Sequence, residues 1–204
     1  MKLYVADKAP NPDRVRYFLQ EKGIWDKVER EEISIMKKEH KEAEYRAISP
    51  LSQVPALVLD DGTAITESRA ICTYFEATNP EPNLMGATPK ERAVIEMWDR
   101  RMELTYLLPV AHWFRNAHPA MAELEKPQSA EWAEISSGRA RKMAEFIDLH
   151  LKSTTYVAAD RFSIADITLF VALGFGRIMK FKPWEDLPNL AHWRDRISER
   201  PGLQ

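Results

Sequence analysis

The sequence predicts an α/β domain followed by an all-α domain, and three observations carry that expectation. Strand-like and helix-like patterns alternate over residues 1–78. A stretch rich in Pro, Asn and Gly, "NPEPNLMGAT", occupies residues 79–88 and reads as a linker. Strand signals vanish over residues 89–204, where helical periodicity takes over.

In the first domain "KLYVA" is a short apolar strand. "PDRVRYFLQEKGI" puts Val15, Phe18 and Leu19 on one helical face and stops near Gly23. "VEREEISI" reads as a second strand, polar on one side, and "KEAEYRAI" as a short helix. In "VPALVLDDGTAI" an Asp-Gly pair separates two apolar runs, a strong hairpin signal. "ESRAICTYFEAT" returns to helical spacing through Ile71, Tyr74 and Phe75.

In the second domain Thr88, Pro89 and Glu91 supply an N-cap, a proline at the first helical position and a capping acid. Val94, Trp98, Met102 and Tyr106 then recur every four residues, and Pro109 is expected to kink this helix or end its regular part. A helix over roughly residues 131–151 is expected to turn Ile135, Met143, Phe146 and Ile147 inward. "RFSIADITLF" opens another, with Ser163 and Asp166 as a capping pair and Phe162 and Ile167 as its hydrophobic staple. A last helix is expected over 190–198.

Composition excludes several classes. The 204 residues are 45% hydrophobic and 29% charged, with a net charge of −2, which disfavours nucleic-acid and polybasic membrane partners. No apolar run approaches the length of a membrane span, and the opening residues carry no secretory pattern. One cysteine, Cys72, allows no internal disulfide and fits a reducing cytoplasm. It lies among the apolar residues of "AICTYF" and reads as inert core. Nucleotide-binding glycine motifs and metal-type histidine pairs are absent, so neither a nucleotide nor a metal is expected.

Four patches of the first domain can carry chemistry. In "KAPNPDRVRYFL", Asn11 reads as an N-cap and Pro12 as the first helical residue, and a helix start attracts anions and lowers thiol pKa values. In "SQVPAL", Pro55 opens a strand, and a cis Val54–Pro55 bond would turn the Val54 backbone toward an extended peptide. In "ITESRA", Glu67 and Ser68 stand where the hairpin meets a helix, suited to an ammonium and a carboxylate. His40 lies among lysines in "KKEHKE". Taken singly, each patch reads equally well as a cap, an edge proline or a solvated face.

In this order and spacing the chain resembles the glutathione transferase superfamily over essentially its whole length. The resemblance implies an N-terminal thioredoxin-like glutathione-binding domain followed by an all-helical domain contributing an electrophile site. It implies that Pro55 is cis, that Val54 binds the cysteinyl backbone of glutathione, that Glu67 and Ser68 hold the γ-glutamyl end, and that His40 and Gln53 lie toward the glycyl carboxylate. "FSIADITLF" matches a structural motif of the family, so Ser163 and Asp166 are not catalytic candidates.

The sequence departs from the common classes at the thiol. Ala9 stands near the place of a catalytic serine, Tyr4 is slightly early for a catalytic tyrosine, and the motif has no cysteine. Asn11 remains, as in Nu-type members. Similarity to fungal-type members adds a second route, in which His112 or His118 of "VAHWFRNAHPAM" holds a water or acts as base. An apolar electrophile is expected against Pro10, Met102, Tyr106, Trp113 and Phe175. The resemblance further implies a homodimer, with Asp99 or Glu103 able to reach the partner's glutathione. The alternatives to transfer are glutathione-dependent disulfide reduction and a non-catalytic scaffold.

Overall fold

The computed structural model describes residues 1–158 and 160–203. The chain divides into two compact units, one over Met1–Asn83 joined by the segment from Pro201 on, the other over Leu84–Arg200.

The first unit contains β1 (Lys2–Val5), α1 (Pro10–Glu21), β2 (Glu29–Glu32), α2 (Ala43–Ile48), β3 (Ala56–Val58), β4 (Ala64–Thr66) and α3 (Ser68–Thr78). The sheet order is β2-β1-β3-β4. β1 and β2 are parallel, with Leu3 opposite Arg30, while β3 runs antiparallel to β1 and to β4. The hairpin forms where "LDDGT" places it: Leu59 and Thr63 close the turn at 2.9 Å, and Gly62 takes a φ of 85° that a side chain would resist. β2 differs from the expectation of one polar side, because all four of its residues are exposed on the sheet edge.

Alternation along β1 separates two apolar clusters. Leu3 is fully buried, as are Val15, Phe18 and Leu19 of α1 and Ile71 of α3, the two helices packing against each other. Tyr4 instead packs with Ile33, Tyr45 and Ala56, its ring edge-on to Tyr45. That position removes Tyr4 from the start of α1.

α1 begins two residues earlier than its composition suggests. Ala9 is the N-cap and Pro10 the first helical residue, so Asn11 lies inside the first turn and is not the cap. The reason is Pro10 itself, whose fixed φ suits the first helical position as well as Pro12 does. At the other end Lys22, with its side chain wholly buried, donates to the carbonyls of Asn79 (2.7 Å) and Pro82 (2.9 Å) and pairs with Glu76 at 2.7 Å.

The second unit contains α4 (Pro89–Arg101), α5 (Leu108–Ala117), α6 (Ala130–Leu151), α7 (Ile164–Gly176) and α8 (Pro188–Ser198). Thr88 and Glu91 form the expected capping box on α4, and Ser163 and Asp166 the one on α7. Between α4 and α5 the chain makes a π-helical turn over Met102–Leu107 and then continues through Pro109 to Ala117. The regular part of the helix thus ends at Arg101, ahead of the proline as expected, and the wider π turn gives room to a ring that would clash in a regular helix, so that the helical run continues through Pro109.

α6 turns inward a face that matches the expected one only in part: Ile147 is buried and Met143 half-buried. Ala133, Ser136, Ala140, Ala144, Ile147 and Leu151 are buried, whereas Ile135 and Phe146 are 41% and 48% exposed. The inward face is a seam of small residues against which α5 packs closely. Asp148 of α6 accepts from the Leu190 amide at 2.8 Å and the Asn189 side chain at 2.9 Å, fixing the start of α8.

Around α7 the carboxylate of Asp166 is fully buried. It accepts from the Ser163 amide and hydroxyl, the Val157 amide and Trp193 Nε1, all at 3.0–3.1 Å. Asp99 is also fully buried and accepts from Thr168 Oγ1 at 2.5 Å. It therefore presents no surface to another chain, against the expectation that it reaches a partner. Glu103 pairs with Arg100 on its own helix.

Candidate functional site

In the first unit the start of α1 and the start of α3 meet. Asn11 is exposed, but its Oδ1 lies 3.4 Å from Ser68 Oγ and 3.5 Å from Arg14 Nη1. Arg14 Nη1 donates to Ser68 Oγ at 3.0 Å. Ser68 is buried and is the first residue of α3, not its cap; Glu67 is the N-cap, exposed, with a φ of 69° that points the chain into the helix. Pro10 and Pro12 carry no amide hydrogen and the Asp13 amide donates to the Ala9 carbonyl at 3.1 Å, so within the first turn of α1 the Asn11 backbone amide is the one left without a carbonyl one turn back, at the positive end of the helix. Nearby Asp13 has its carboxyl held above the ordinary range by burial, against the opposing charge of Arg16.

A second wall comes from the loop before β3. The Gln53 carbonyl accepts from the Tyr45 hydroxyl at 2.7 Å and from Ser49 Oγ at 2.9 Å, and the Gln53 amide donates back to Ser49 Oγ at 3.2 Å. Burial pushes the Tyr45 phenol up to about 12, so it is a permanent donor at neutral pH. The Gln53 residue itself is exposed, Val54 half-buried, and the Val54–Pro55 bond is cis. His40 is buried, not part of a solvated face. Burial, with Lys41 nearby, pulls its pKa below the usual imidazole value, and its Nδ1 finds no hydrogen-bond partner among the described residues.

In the second unit Met102 and Tyr106 lie in the π-helical turn with no accessible surface. Burial raises the Tyr106 phenol far above its ordinary value, and its hydroxyl has no partner among the described residues. Both side chains are core of that unit and offer no surface to a ligand in this conformation. Trp113 is half-buried, with its ring 5.7 Å from Phe181. Phe175 packs on Phe114 at 5.2 Å. Pro10, on the first unit, is half-buried.

The two histidines differ. His118 Nδ1 accepts from the Ala120 amide at 3.2 Å and caps the short turn Pro119–Met121, a structural task. His112 is partly exposed beside Trp132, and burial together with Arg115 lowers its pKa. Neither side chain is shown holding a reacting group. Asn116 of the same stretch ties α5 to α6 by donating to the His112 carbonyl and accepting from the Ser129 amide.

Sequence reasoning missed Arg14, Tyr45 and Ser49. Arg14 could have been found, because Asn11, Arg14 and Phe18 share one helical face at spacings of three and four. Tyr45 and Ser49 reach Gln53 through a loop closure that leaves no periodic trace. Among the described residues no three His, Cys, Asp or Glu side chains group as metal ligands, and no helix is long and apolar enough to cross a membrane. Cys72 is buried in α3.

A four-stranded mixed sheet covered by helices, with a cis-proline loop before β3, defines a thioredoxin-like domain. The glutathione S-transferase N-terminal domain model matches residues 9–78, and the C-terminal domain model of the same enzymes matches 70–201. Glutathione S-transferase 2 of Saccharomyces cerevisiae is 38% identical over all of this chain and 88% of its own. The crystal structure of yeast Gtt2 aligns over 100% of this chain and 98% of that one with a TM-score of 0.95. A glutathione S-transferase domain-containing protein of Marinobacter aquaeolei aligns over the full length of both chains at 36% identity and a TM-score of 0.96. The chain belongs to the glutathione S-transferase family. It is a glutathione transferase, with a thioredoxin-like N-terminal domain and an all-helical C-terminal one.

Proposed function

We propose that this transferase binds glutathione with its sulfur at the start of α1, where the Asn11 side-chain amide and the helix terminus stabilise the thiolate for attack on an apolar electrophile. The observation that carries this reading is the exposed Asn11 at the first turn, with its oxygen engaged by Arg14 and Ser68. Serine, tyrosine and cysteine do not stand in that place, so a hydroxyl or a mixed disulfide with the protein is not available there.

The energetics suffice. A free thiol titrates near ~8.5, and lowering it by about two units requires about 2.7 kcal/mol. One hydrogen bond to a charged sulfur supplies roughly 1.5–3 kcal/mol, and a helix terminus adds about 0.3–1 kcal/mol. In this reading Val54 and the Gln53 region hold the peptide backbone, Glu67 and Ser68 the γ-glutamyl end, and His40 and Gln53 the glycyl end. Trp113, with its surface half open, is the contact for the electrophile in the second unit.

The expected association is a homodimer. Its support is a run of exposed apolar side chains on adjoining elements of the second unit: Met97, Leu104 and Leu108 on one side, Ile135, Phe146 and Leu149 of α6 on the other. A reducing, cytoplasmic setting fits a chain with a single buried cysteine.

The test is ultraviolet titration of bound thiolate. Asn11→Ala is expected to raise the pKa of bound glutathione by about one unit or more while calorimetric affinity changes little. An unchanged titration rejects the Asn11 assignment and favours a water held by His112. No retention of the protein on immobilised glutathione would support the scaffold alternative.

A further inference from the structure

The amide of Asn11 has two nearly isosteric ends, one an acceptor and the other a double donor. An anion is stabilised by the second and repelled by the first. An exposed asparagine with nothing behind it samples both orientations. Here something stands behind it: Arg14, 1% exposed, one turn further along α1. A guanidinium has only donors, so the Asn11 atom facing it is the oxygen, and the two Nδ2 hydrogens lie on the opposite side of the amide. Arg14 also donates to Ser68 Oγ, which leaves that hydroxyl's single hydrogen to point at the same Asn11 oxygen. Two donors therefore converge on Oδ1, and one of them is a charge that cannot titrate away.

We propose that Arg14 is a positioning residue: its buried guanidinium locks the Asn11 amide with oxygen inward and nitrogen outward, so that the helix start always presents a donor. The role rests on the reading of Asn11 above. It also ties two parts of the tripeptide site together, the γ-glutamyl end and the place of the thiol. Ser68, assigned to the γ-glutamyl carboxylate, and Asn11, assigned to the sulfur, share one cation.

The experiment uses the full chain and three substitutions. Arg14→Met keeps an apolar stem of similar length. It is expected to unfold cooperatively, to raise the thiol pKa of bound glutathione by up to about one unit, and to lower kcat below neutrality by as much as about tenfold. KM for glutathione should move less than kcat. In the Asn11→Ala background, Arg14→Met should add no further rise, because there is no amide left to orient. A folded Arg14→Met with an unchanged thiol pKa, alongside an Asn11→Ala that raises it, overturns the proposal and leaves the Asn11 reading intact. An Asn11→Ala without effect overturns that reading, and the purpose of the lock with it.

Because a buried arginine is hazardous to remove, Asn11→Asp tests the contact from the other side. With oxygen already toward Arg14, a carboxylate there gains a charge-assisted bond, so the melting temperature should rise by a few degrees while thiolate formation is lost. A fall or no change in melting temperature means that position 11 and Arg14 make no contact able to hold the amide, and the proposal fails even where Arg14→Met does not fold.

Discussion

The Tyr45 hydroxyl donates to the carbonyl of Gln53 across 2.7 Å, so a side chain of α2 sets the height of the loop that leads into β3. Ser49 holds the same carbonyl from the other side. Tyr45→Phe removes one of two donors and leaves the ring in its apolar cluster. The expected cost is about 1 kcal/mol of stability. KM for glutathione should rise several-fold with kcat nearly unchanged, because the proposed function gives this loop the peptide and not the sulfur. Steady-state kinetics in which kcat fell and KM held would contradict this.

Ser68→Ala acts differently, because Ser68 Oγ sits between Arg14 and Asn11. It is expected to weaken glutathione binding only modestly, because the hydroxyl's single hydrogen points at the Asn11 oxygen and the Ser68 amide stays available to a carboxylate. A small rise in the bound thiol pKa should accompany it, since one of the two donors on the Asn11 oxygen is gone. Calorimetry and the ultraviolet titration together separate the two effects.

Asp166 gives a pH dependence of stability with a definite sign. Burial raises its folded-state pKa from 3.8 to about 6, while the hydrogen bonds from Val157, Trp193 and Ser163 oppose the shift. A raised pKa means that the folded state holds the proton more tightly than the unfolded chain. The associated stabilisation is therefore present below the unfolded value and is lost as pH rises through about 6. Between about pH 4.5 and about pH 7.5 this amounts to roughly 2 kcal/mol. Asp166→Asn removes the titration and leaves some of the four donors without an acceptor. Its deficit relative to the parent, measured by urea unfolding, should be larger at the lower pH. A deficit that grew toward alkaline pH would be the wrong sign.

For association, Leu104→Glu with Phe146→Glu places carboxylates on the exposed apolar run of the second unit, at residues 52% and 48% exposed. Neither side chain is core, so melting of the isolated subunit should be little affected. Sedimentation is expected to show the parent as a dimer and the double variant as a monomer. A parent that sediments as a monomer refutes the association outright.

Local chemistry made much of this legible. The Asp-Gly turn, the Thr88–Glu91 box and the Ser163–Asp166 box are each written in a few adjacent residues, and each forms as read. Domain class followed from them, because a hairpin and two helix starts leave few architectures. What escaped depended on neighbours remote in sequence. The inward face of α6 was misjudged in part because a seam of alanines and serines packs as well as larger residues do where helices approach closely. His40 was read as solvated from its lysine neighbours, yet the fold buries it. Nothing near Arg14 in the chain marks it for burial, because its partner Ser68 is brought to it by α3 across 54 residues.

The short turn Pro201–Leu203 packs on α1, and Gly202 lies so near Glu21 that a Cβ there would come within 2.7 Å of its carboxylate. On the ribosome this imposes an order of events. The sheet and its helices are synthesised first, but one of their packing partners emerges only after the entire helical unit has been made. The first unit thus completes itself only after the second has been made, and a substitution as small as Gly202→Ala would be felt by the Glu21 side chain at the tail of α1.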